Sequence, residues 1–419
     1  MKSKTIPFLI FLLFFLIYYL GSFSKISFGD SIGFVLDVEN CTFITHATPL
    51  SHFLYINIPI FFSKFLNIDS VLLMRLMSII PASLTVSLVY ILLKEFISEK
   101  WIAVTSTFVF GLSFTFWRSA ETVEVYAFNA LAVVGFLIFS IRSFKDNSQK
   151  NILLSGILLG VSFWIHIQNI MLIPAYFVLL YLLRDNRKKV LLSLASFLFI
   201  FALMFFVNHL NDIEFKYVFI SKTELWINNT FSQSLFDLIT DVIKSILYLI
   251  YNFHIFTLFC VAGGIYVYRN FKNEFLFLAI ASLFTFGFAT FYAVSDNYVY
   301  FIPFYLIFIV FAALGIKILA HRFHLKKLKF IPLFIPLLYV SCFYIVSLTE
   351  AGEKFNQEKL YKDGLRYYML PWLHNNVGCL EFTLDHIQCN DNVEAMKEAS
   401  RQFIELRKKK QSLEEIRKL

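Results

Sequence analysis

The sequence predicts an all-α integral membrane protein whose helices form a bundle with about eleven transmembrane segments. Hydrophobic residues make up 58% of its 419 positions, 53 positions are phenylalanine, and the mean hydropathy is +0.68. A water-soluble domain of this composition would expose large apolar patches. The apolar runs are continuous and about 20 residues long, which favours helices over the alternating pattern of transmembrane β-strands.

Eleven segments have the length and composition of a membrane-spanning helix. We predict spans at residues 5–21, 69–96, 101–117, 125–142, 151–166, 169–184, 189–208, 242–268, 275–293, 298–320 and 330–348. The first has no clear small-residue cleavage site, so we interpret it as an uncleaved helix. Residues 50–66 are apolar but interrupted by polar side chains. We interpret them as a helix at the membrane interface, and a twelfth span is the alternative.

The distribution of basic residues predicts the topology. Of the 37 Lys and Arg residues, 18 fall in loops on one side of the eleven spans and 5 in loops on the other. This asymmetry places the N-terminus in the cytoplasm and the C-terminal tail outside it. We therefore predict a transmembrane domain at 1–348 and a partly helical, extracytoplasmic tail at 349–419, in a bacterial inner membrane. The net charge of +8 then reports topology rather than nucleic-acid binding.

Three acidic residues stand in the first outer loop, residues 22–68. Asp30 begins the group, and Asp37 and Glu39 follow it in an otherwise acid-poor stretch. A partly desolvated carboxylate can act as a general base, or it can hold a divalent cation against a diphosphate. We predict Asp30 as the catalytic carboxylate. The alternative is that Asp30 only caps a short helix.

Other polar side chains enter or border the spans on the same face. Ionisable groups in such positions usually face the bundle interior or a wet cavity. Predicted substrate-binding residues are Glu124, Tyr126, Asn129, His166, Asp296, Arg75 and Arg118. Snorkelling to the lipid headgroups is the alternative for the arginines, and helix capping is the alternative for Asp296. The sequence has no nucleotide-binding loop and no zinc-binding motif. A Cys379–Cys389 disulfide is left open.

Several of these stretches resemble the GT-C superfamily of membrane glycosyltransferases. More narrowly, they resemble bacterial relatives of a transmembrane protein O-mannosyltransferase family. The matches are Asp30-Ser31 for an Asp-Ser-Gly-Glu motif, Glu124-Val125-Tyr126 with Asn129 for a Glu-Val-Tyr segment, His166 for an Asn-His segment, and Asp296 with Pro303 for a late Asp and Pro. Gly33 stands where the family has Glu, and His46-Ala47-Thr48-Pro49 stands where it has a His-Pro-Pro-Gly-Tyr-Pro run.

The resemblance implies an inverting transfer of a sugar, with mannose as one candidate, from a polyprenyl-phosphate donor to a protein or glycan hydroxyl outside the cytoplasm. Asp30 would take the hydroxyl proton, and the lipid phosphate would leave toward Arg75 or Arg118. No cofactor is then required, although a divalent cation stays an open alternative. Two other functions remain: a transporter or flippase for a lipid-linked sugar, and a non-catalytic membrane assembly factor that binds through its tail.

Overall fold

A computed structural model describes residues 5–21, 25–48, 51–146, 148–214, 224–294, 297–323, 325–372 and 376–419. These residues form α-helices and short 3-10 helices, with no β-strand among them. The helices of the bundle and of its first outer loop are α1 (Thr5–Gly21), α2 (Ser31–Glu39), α3 (Phe53–Ser63), α4 (Ser70–Lys94), α5 (Lys100–Gly111), α6 (Phe114–Glu121), α7 (Tyr126–Asp146), α8 (Gln149–Phe163), α9 (Ile173–Leu182), α10 (Arg187–Leu210), α11 (Glu224–Phe231), α12 (Leu235–Phe253), α13 (Cys260–Asn270), α14 (Lys272–Phe291), α15 (Ile302–Phe323) and α16 (Ile331–Ser347). The tail adds α17 (Glu350–Glu358), α18 (Gly364–Met369), α19 (Cys379–Leu384), α20 (Glu394–Arg407) and α21 (Leu413–Arg417).

The predicted all-helical membrane fold is confirmed. Within the described residues, seven helical segments are long and apolar enough to cross a membrane: Ser70–Lys94, Tyr126–Asp146, Arg187–Leu210, Leu235–Asn270, Lys272–Phe291, Asn297–Ala320 and Leu325–Ser347. Every predicted span coincides with helix, although the number of crossings stays a prediction. The helix α3 has 11 residues. At 1.5 Å per residue it is about 16 Å long, too short to cross a hydrocarbon core of about 30 Å.

Two predicted spans differ from the helices that the structure shows. The segment 101–117 is not one helix, because α5 ends at Gly111 and α6 starts at Phe114. The break is held by a polar contact that apolar periodicity does not report: the Thr115 N–H donates to Asn252 Oδ1 at 2.8 Å. The segment 242–268 begins earlier, at Leu235, because Ser234 and Asp237 form a capping box there. It is also interrupted by a 3-10 turn at His254–Phe259.

The helix α15 lies at the centre of the bundle, whereas α10 and α16 lie at its edge. In the segment that contains α15, 89% of the residues in its most apolar window are buried. The corresponding share is 17% for α10 and 17% for the segment that contains α16. The helices α13 and α15 cross with their backbones in contact. A Cβ atom on Gly263 would lie 1.7 Å from the Phe311 carbonyl oxygen, so only glycine permits this approach.

A second hydrophobic core lies at one end of the bundle, where the first loop meets the tail. It joins Val35 of α2 and Tyr55 of α3 to Phe382 of α19 and Phe403 of α20. Backbone hydrogen bonds reinforce this contact, because the Ile26 N–H donates to the Leu419 carbonyl at 2.9 Å and the Cys379 N–H donates to the Ile26 carbonyl at 2.9 Å. All five cysteines are free, so the Cys379–Cys389 disulfide is not formed. The division of the chain at residue 348 stays a prediction.

An ionic cluster fastens α20 to the first loop. Arg407, which is 7% exposed, donates to Glu39 Oε2 at 2.7 Å and to Asp69 Oδ2 at 2.6 Å. Its guanidinium also donates to the Ser70 hydroxyl at 2.9 Å. Glu39 is therefore paired with an arginine of the tail. The tail and the first loop form one layer over this end of the bundle.

Candidate active site

Asp30 occupies the N-terminal end of α2 with its carboxylate exposed. It stands at the N-cap position, but its side chain makes no capping hydrogen bond. No other hydrogen bond or ion pair of this carboxylate occurs among the described residues. The alternative that Asp30 serves as a helix cap thus lacks its defining contact. The carboxylate is open to a ligand.

Glu124 lies beside the two neighbours of Asp30. The Ser31 hydroxyl is 3.5 Å from Glu124 Oε1, and a Cβ atom on Gly29 would lie 3.6 Å from the same oxygen. Gly29 has a φ of +107°, a conformation that glycine adopts at no steric cost. The Glu124 carbonyl oxygen accepts from the Ser78 hydroxyl at 3.4 Å, which ties this segment to α4. Glu124 therefore lies against the segment that carries Asp30, at one corner of the bundle.

Four rings pack against one another next to this corner. The rings of His52 and His166 stack with centroids 5.2 Å apart. Tyr126 lies 5.7 Å from His166 and 5.6 Å from Tyr300, and Tyr300 lies 5.7 Å from His166. His52 precedes α3 and His166 follows α8. Tyr126 is the first residue of α7, and Tyr300 lies in a 3-10 turn before α15. The fold thus assembles four separate parts of the chain into one aromatic wall.

A buried amide network holds the His166 loop in place. The Asn169 amide donates to Asn129 Oδ1 at 2.7 Å, to the Ser162 carbonyl at 2.9 Å and to the His166 carbonyl at 3.1 Å. The amide of Gln168 donates to the Tyr300 carbonyl. Asn129 is 2% exposed. Asn129 therefore contacts the loop that carries His166.

Two cations lie under the tail, near Phe28 and Tyr367. The buried Arg118 donates to the Tyr367 carbonyl, and its guanidinium lies 4.2 Å from the centroid of the Tyr367 ring. Lys362 Nζ lies 5.2 Å from the same ring and 5.7 Å from that of Phe28. Lys362 makes no ion pair with a described residue. Burial, with the nearby charge of Arg118 adding to it, lowers the pKa of Lys362 to about 8 against the opposing charge of Asp391.

Comparisons with known proteins agree with this architecture. Residues 44–190 match the family model described as the Protein O-mannosyl-transferase TMEM260 N-terminal domain. Two structures of ArnT from Cupriavidus metallidurans share the fold. The alignment with the apo structure covers 84% of this chain and 66% of the ArnT chain, with a TM-score of 0.61 and 14% identity. The alignment with the structure bound to undecaprenyl phosphate covers 96% of this chain and 75% of the ArnT chain, with a TM-score of 0.59 and 13% identity. A search of curated protein sequences finds no match.

The chain has the GT-C fold. The resemblance to this superfamily and to the TMEM260 family, predicted from the motifs, is confirmed. The matched region contains Glu124, Tyr126, Asn129 and His166 but ends long before the tail.

The other predicted site residues have different surroundings. Arg75 of α4 donates to the Leu419 carbonyl at 3.1 Å, so it contacts the tail. Asp296 lies outside the described residues. Among the described residues, no group of three or more His, Cys, Asp or Glu side chains is arranged to hold a metal ion. The assignment of each residue to a substrate stays a prediction.

The structure adds two residues that the sequence interpretation missed. His52 lies in a segment read only for its hydropathy, and Lys362 lies in a tail whose basic residues carry little topological weight. A polar residue at the start of an apolar helix was the available signal for His52. No local signal marked Lys362, because its position depends on the tail folding back over Phe28.

Proposed function

We propose that this protein transfers a sugar from a polyprenyl-phosphate donor to a hydroxyl of a protein or glycan acceptor, at the end of the bundle covered by the tail. The observation that carries the proposal is the exposed Asp30 carboxylate, which makes no capping bond and lies between Phe28, next to Lys362, and Ser31, next to Glu124, along the chain. The TMEM260 description makes mannose the first sugar to test and a protein the first acceptor. The lipid carrier is supported by ArnT, whose structure holds undecaprenyl phosphate.

In the proposed reaction the acceptor oxygen attacks the anomeric carbon from the face opposite the phosphate. The new carbon–oxygen bond forms as the bond to the phosphate oxygen breaks, and Asp30 takes the proton of the acceptor hydroxyl. The configuration at the anomeric carbon is inverted, and the lipid phosphate leaves with the electron pair.

Cationic side chains stabilise the charge that develops on the leaving phosphate. Lys362 suits this role, because it lies next to Phe28 and forms no ion pair with a described residue. Arg118 is buried behind Tyr367 and adds positive potential at the same place. In this proposal Arg75 supports the tail, and a metal ion is not required.

Transport of a lipid-linked sugar is less well supported. Transporters bind their substrates near the middle of the bilayer, on broken helices of paired repeats. Here the central helix α15 buries apolar side chains such as Leu306, Ile309 and Ala313 along its length. The charged and aromatic groups lie at one end of the bundle instead. This placement favours chemistry at the membrane surface over passage through the membrane.

A transfer assay tests the proposal. The protein is reconstituted in lipid nanodiscs with polyprenyl phosphate carrying radiolabelled mannose, and a Ser/Thr peptide and an alkyl mannoside serve as acceptors. We expect label to move to an acceptor with inverted stereochemistry. Lipids carrying glucose or an amino sugar, run in parallel, test the sugar. If no donor in the panel loses label to either acceptor while the protein remains folded, the proposed function is wrong.

A further inference from the structure

The stacked pair of histidines at the aromatic wall has an unusual backbone. His52 has φ 51° and ψ 40°, a left-handed conformation that costs most side chains about 1–2 kcal/mol. His166 precedes a 3-10 helix, and its ring is 3% exposed. The interplanar angle between the two rings is 23°. A strained backbone position that places one ring against another suggests that the pair has a purpose beyond packing.

Hydrogen bonds assign the proton on each ring. His52 Nδ1 lies 3.0 Å from the Ile165 carbonyl oxygen, which can only accept, so this nitrogen carries a proton. The His166 Nδ1 accepts from the Gln168 N–H at 3.1 Å, so that nitrogen has none. In the neutral rings His52 Nε2 is therefore an acceptor, and His166 Nε2 carries a proton and donates. The two stacked rings offer opposite hydrogen-bonding groups.

Both free nitrogens are available. Neither Nε2 atom has a hydrogen-bond partner among the described residues. Burial lowers the pKa of His52, and the Ile165 carbonyl and the Asp30 charge oppose this shift only in part. His52 is therefore neutral near pH 7. His166 cannot be doubly protonated while its Nδ1 accepts a hydrogen bond.

We infer that His52 and His166 bind two neighbouring hydroxyl groups of the transferred sugar, His52 Nε2 accepting from one and His166 Nε2–H donating to the oxygen of the other. The inference rests on the proposed function. A hydroxyl is both donor and acceptor, so a pair of hydroxyls on adjacent carbons matches one acceptor and one donor carried by two stacked rings. The ligand class is a neutral sugar with vicinal hydroxyls.

Asparagine variants isolate the Nε2 atoms. In His52→Asn the amide N–H can keep the bond to the Ile165 carbonyl, and asparagine tolerates left-handed backbone. In His166→Asn the amide oxygen can keep the bond from Gln168. Both variants lose Nε2 together with the ring stacking, so the response to deoxy donors, rather than the loss with the parent sugar alone, reports the Nε2 contacts. A matched control is His386→Asn, because His386 has φ 52° but is exposed in the tail, away from the pair.

The test is a cycle between variants and deoxy donors. Polyprenyl-phosphate mannose and its 2-, 3- and 4-deoxy forms are compared by kcat/KM and, without acceptor, by filter-binding affinity. Each Asn variant should lose about tenfold with the parent sugar, as expected for one hydrogen bond. Each Asn variant should also become insensitive to the removal of one hydroxyl of the donor sugar. The hydroxyls identified by the two variants should lie on adjacent carbons. His386→Asn should behave as wild type.

The outcomes separate the two proposals. If wild type transfers sugar but the deoxy penalties are unchanged in both Asn variants, the pair does not bind the sugar and this inference is wrong. If wild type binds the donor without transferring it, the proposed function fails, and the binding cycle still decides the inference. If wild type neither binds nor transfers any of these donors, both are overturned.

Discussion

Two aspartates, Asp30 and Asp69, each stand at the start of a helix but use their carboxylates differently. Asp69 caps α4, since its Oδ1 accepts from the Val71 N–H at 2.9 Å and from the Leu72 N–H at 3.3 Å. Asp30 makes no such bond at α2. The same residue type at the same helical position is therefore structural in one case and left free for chemistry in the other.

Replacing Asp30 by Asn tests its catalytic role. Asn caps a helix about as well as Asp but cannot take a proton near neutral pH, so folding should be retained. Loss of a general base should slow transfer by about 10²–10⁴-fold. Asp37→Asn, in the same helix, should cost much less. Turnover is measured beside the detergent-solubilised yield, and an Asp30→Asn enzyme with near wild-type turnover would contradict the assignment.

The charge of Lys362 predicts an alkaline limit to activity. Its pKa of about 8 lies below its usual value, so the ammonium is present below that pH and is lost as the pH rises through it. Asp391, Lys359, Arg118 and Cys389 are the groups that influence it. Transfer should therefore fall by about tenfold or more once Lys362 is neutral, because a charged hydrogen bond is worth about 1.5–3 kcal/mol.

Lys362→Arg separates this residue from other titrating groups. An arginine stays protonated at any pH that the enzyme tolerates, so the alkaline fall should move upward in this variant. The exposed Lys408→Arg serves as control. The measurement is the pH profile of kcat/KM from pH 6 to 10. An unchanged alkaline limb in Lys362→Arg would assign the fall to another group.

The residues found from sequence and those missed differ in how they are positioned. Glu124, Tyr126, Asn129 and His166 sit at the ends of predicted spans, so hydropathy alone brought them to one face. Lys362 could not be placed in this way, because it reaches Phe28 only after the tail has folded over the first loop. For the same reason the contact of Arg75 with Leu419 was not foreseen.

At the scale of elements, the ion pairs of Arg407 on α20 hold the tail against the first loop. Arg407→Met would leave Glu39 and Asp69 without their shared cation, and removing one partner of a buried ion pair costs about 3 kcal/mol or more. We expect the tail to detach and become sensitive to protease, while the bundle stays intact. Limited proteolysis followed by mass mapping measures this change.

Arg401→Met is the matched control, because Arg401 lies on the same helix with 57% of its side chain exposed and, among the described residues, forms an ion pair with Glu398 alone. An exposed pair contributes about 0–1 kcal/mol, so the tail should remain protected. Equal protease sensitivity in both variants would show that the Arg407 cluster does not hold the tail. Transfer activity should fall with Arg407→Met, since Lys362 belongs to the same tail.

Periodicity predicted where helices occur but not where they break. The division between α5 and α6 depends on Asn252, which comes from α12, a helix distant in sequence. The start of α12 depends on the local Ser234 and Asp237 pattern, which a capping rule would have found. Breaks fixed by tertiary contacts are thus beyond sequence reading, whereas breaks fixed by caps are not.

At the scale of the molecule, the two ends of the bundle carry different charges. The end opposite the site contains Glu95, paired with Arg142 at 2.7 Å and with Lys145 at 2.9 Å, as part of a mostly basic surface. The site end contains Asp30, Glu124 and the layer formed by the first loop and the tail. The tail contacts the first loop, so both lie at the same end of the bundle. This is the arrangement that the predicted odd number of crossings requires. The side of the membrane stays a prediction.

A reporter that is active only outside the cytoplasm tests the topology. Fused after Leu419 it should be active, and fused after Asp146, in a predicted inner loop, it should be inactive, because the basic residues concentrate on that side. The fusion after Leu419 must keep the contact with Ile26, so a flexible linker precedes the reporter. Activity at both positions, or at Asp146 alone, would contradict the predicted orientation. Activity at Asp146 alone would place Asp30 and the proposed transfer on the cytoplasmic side.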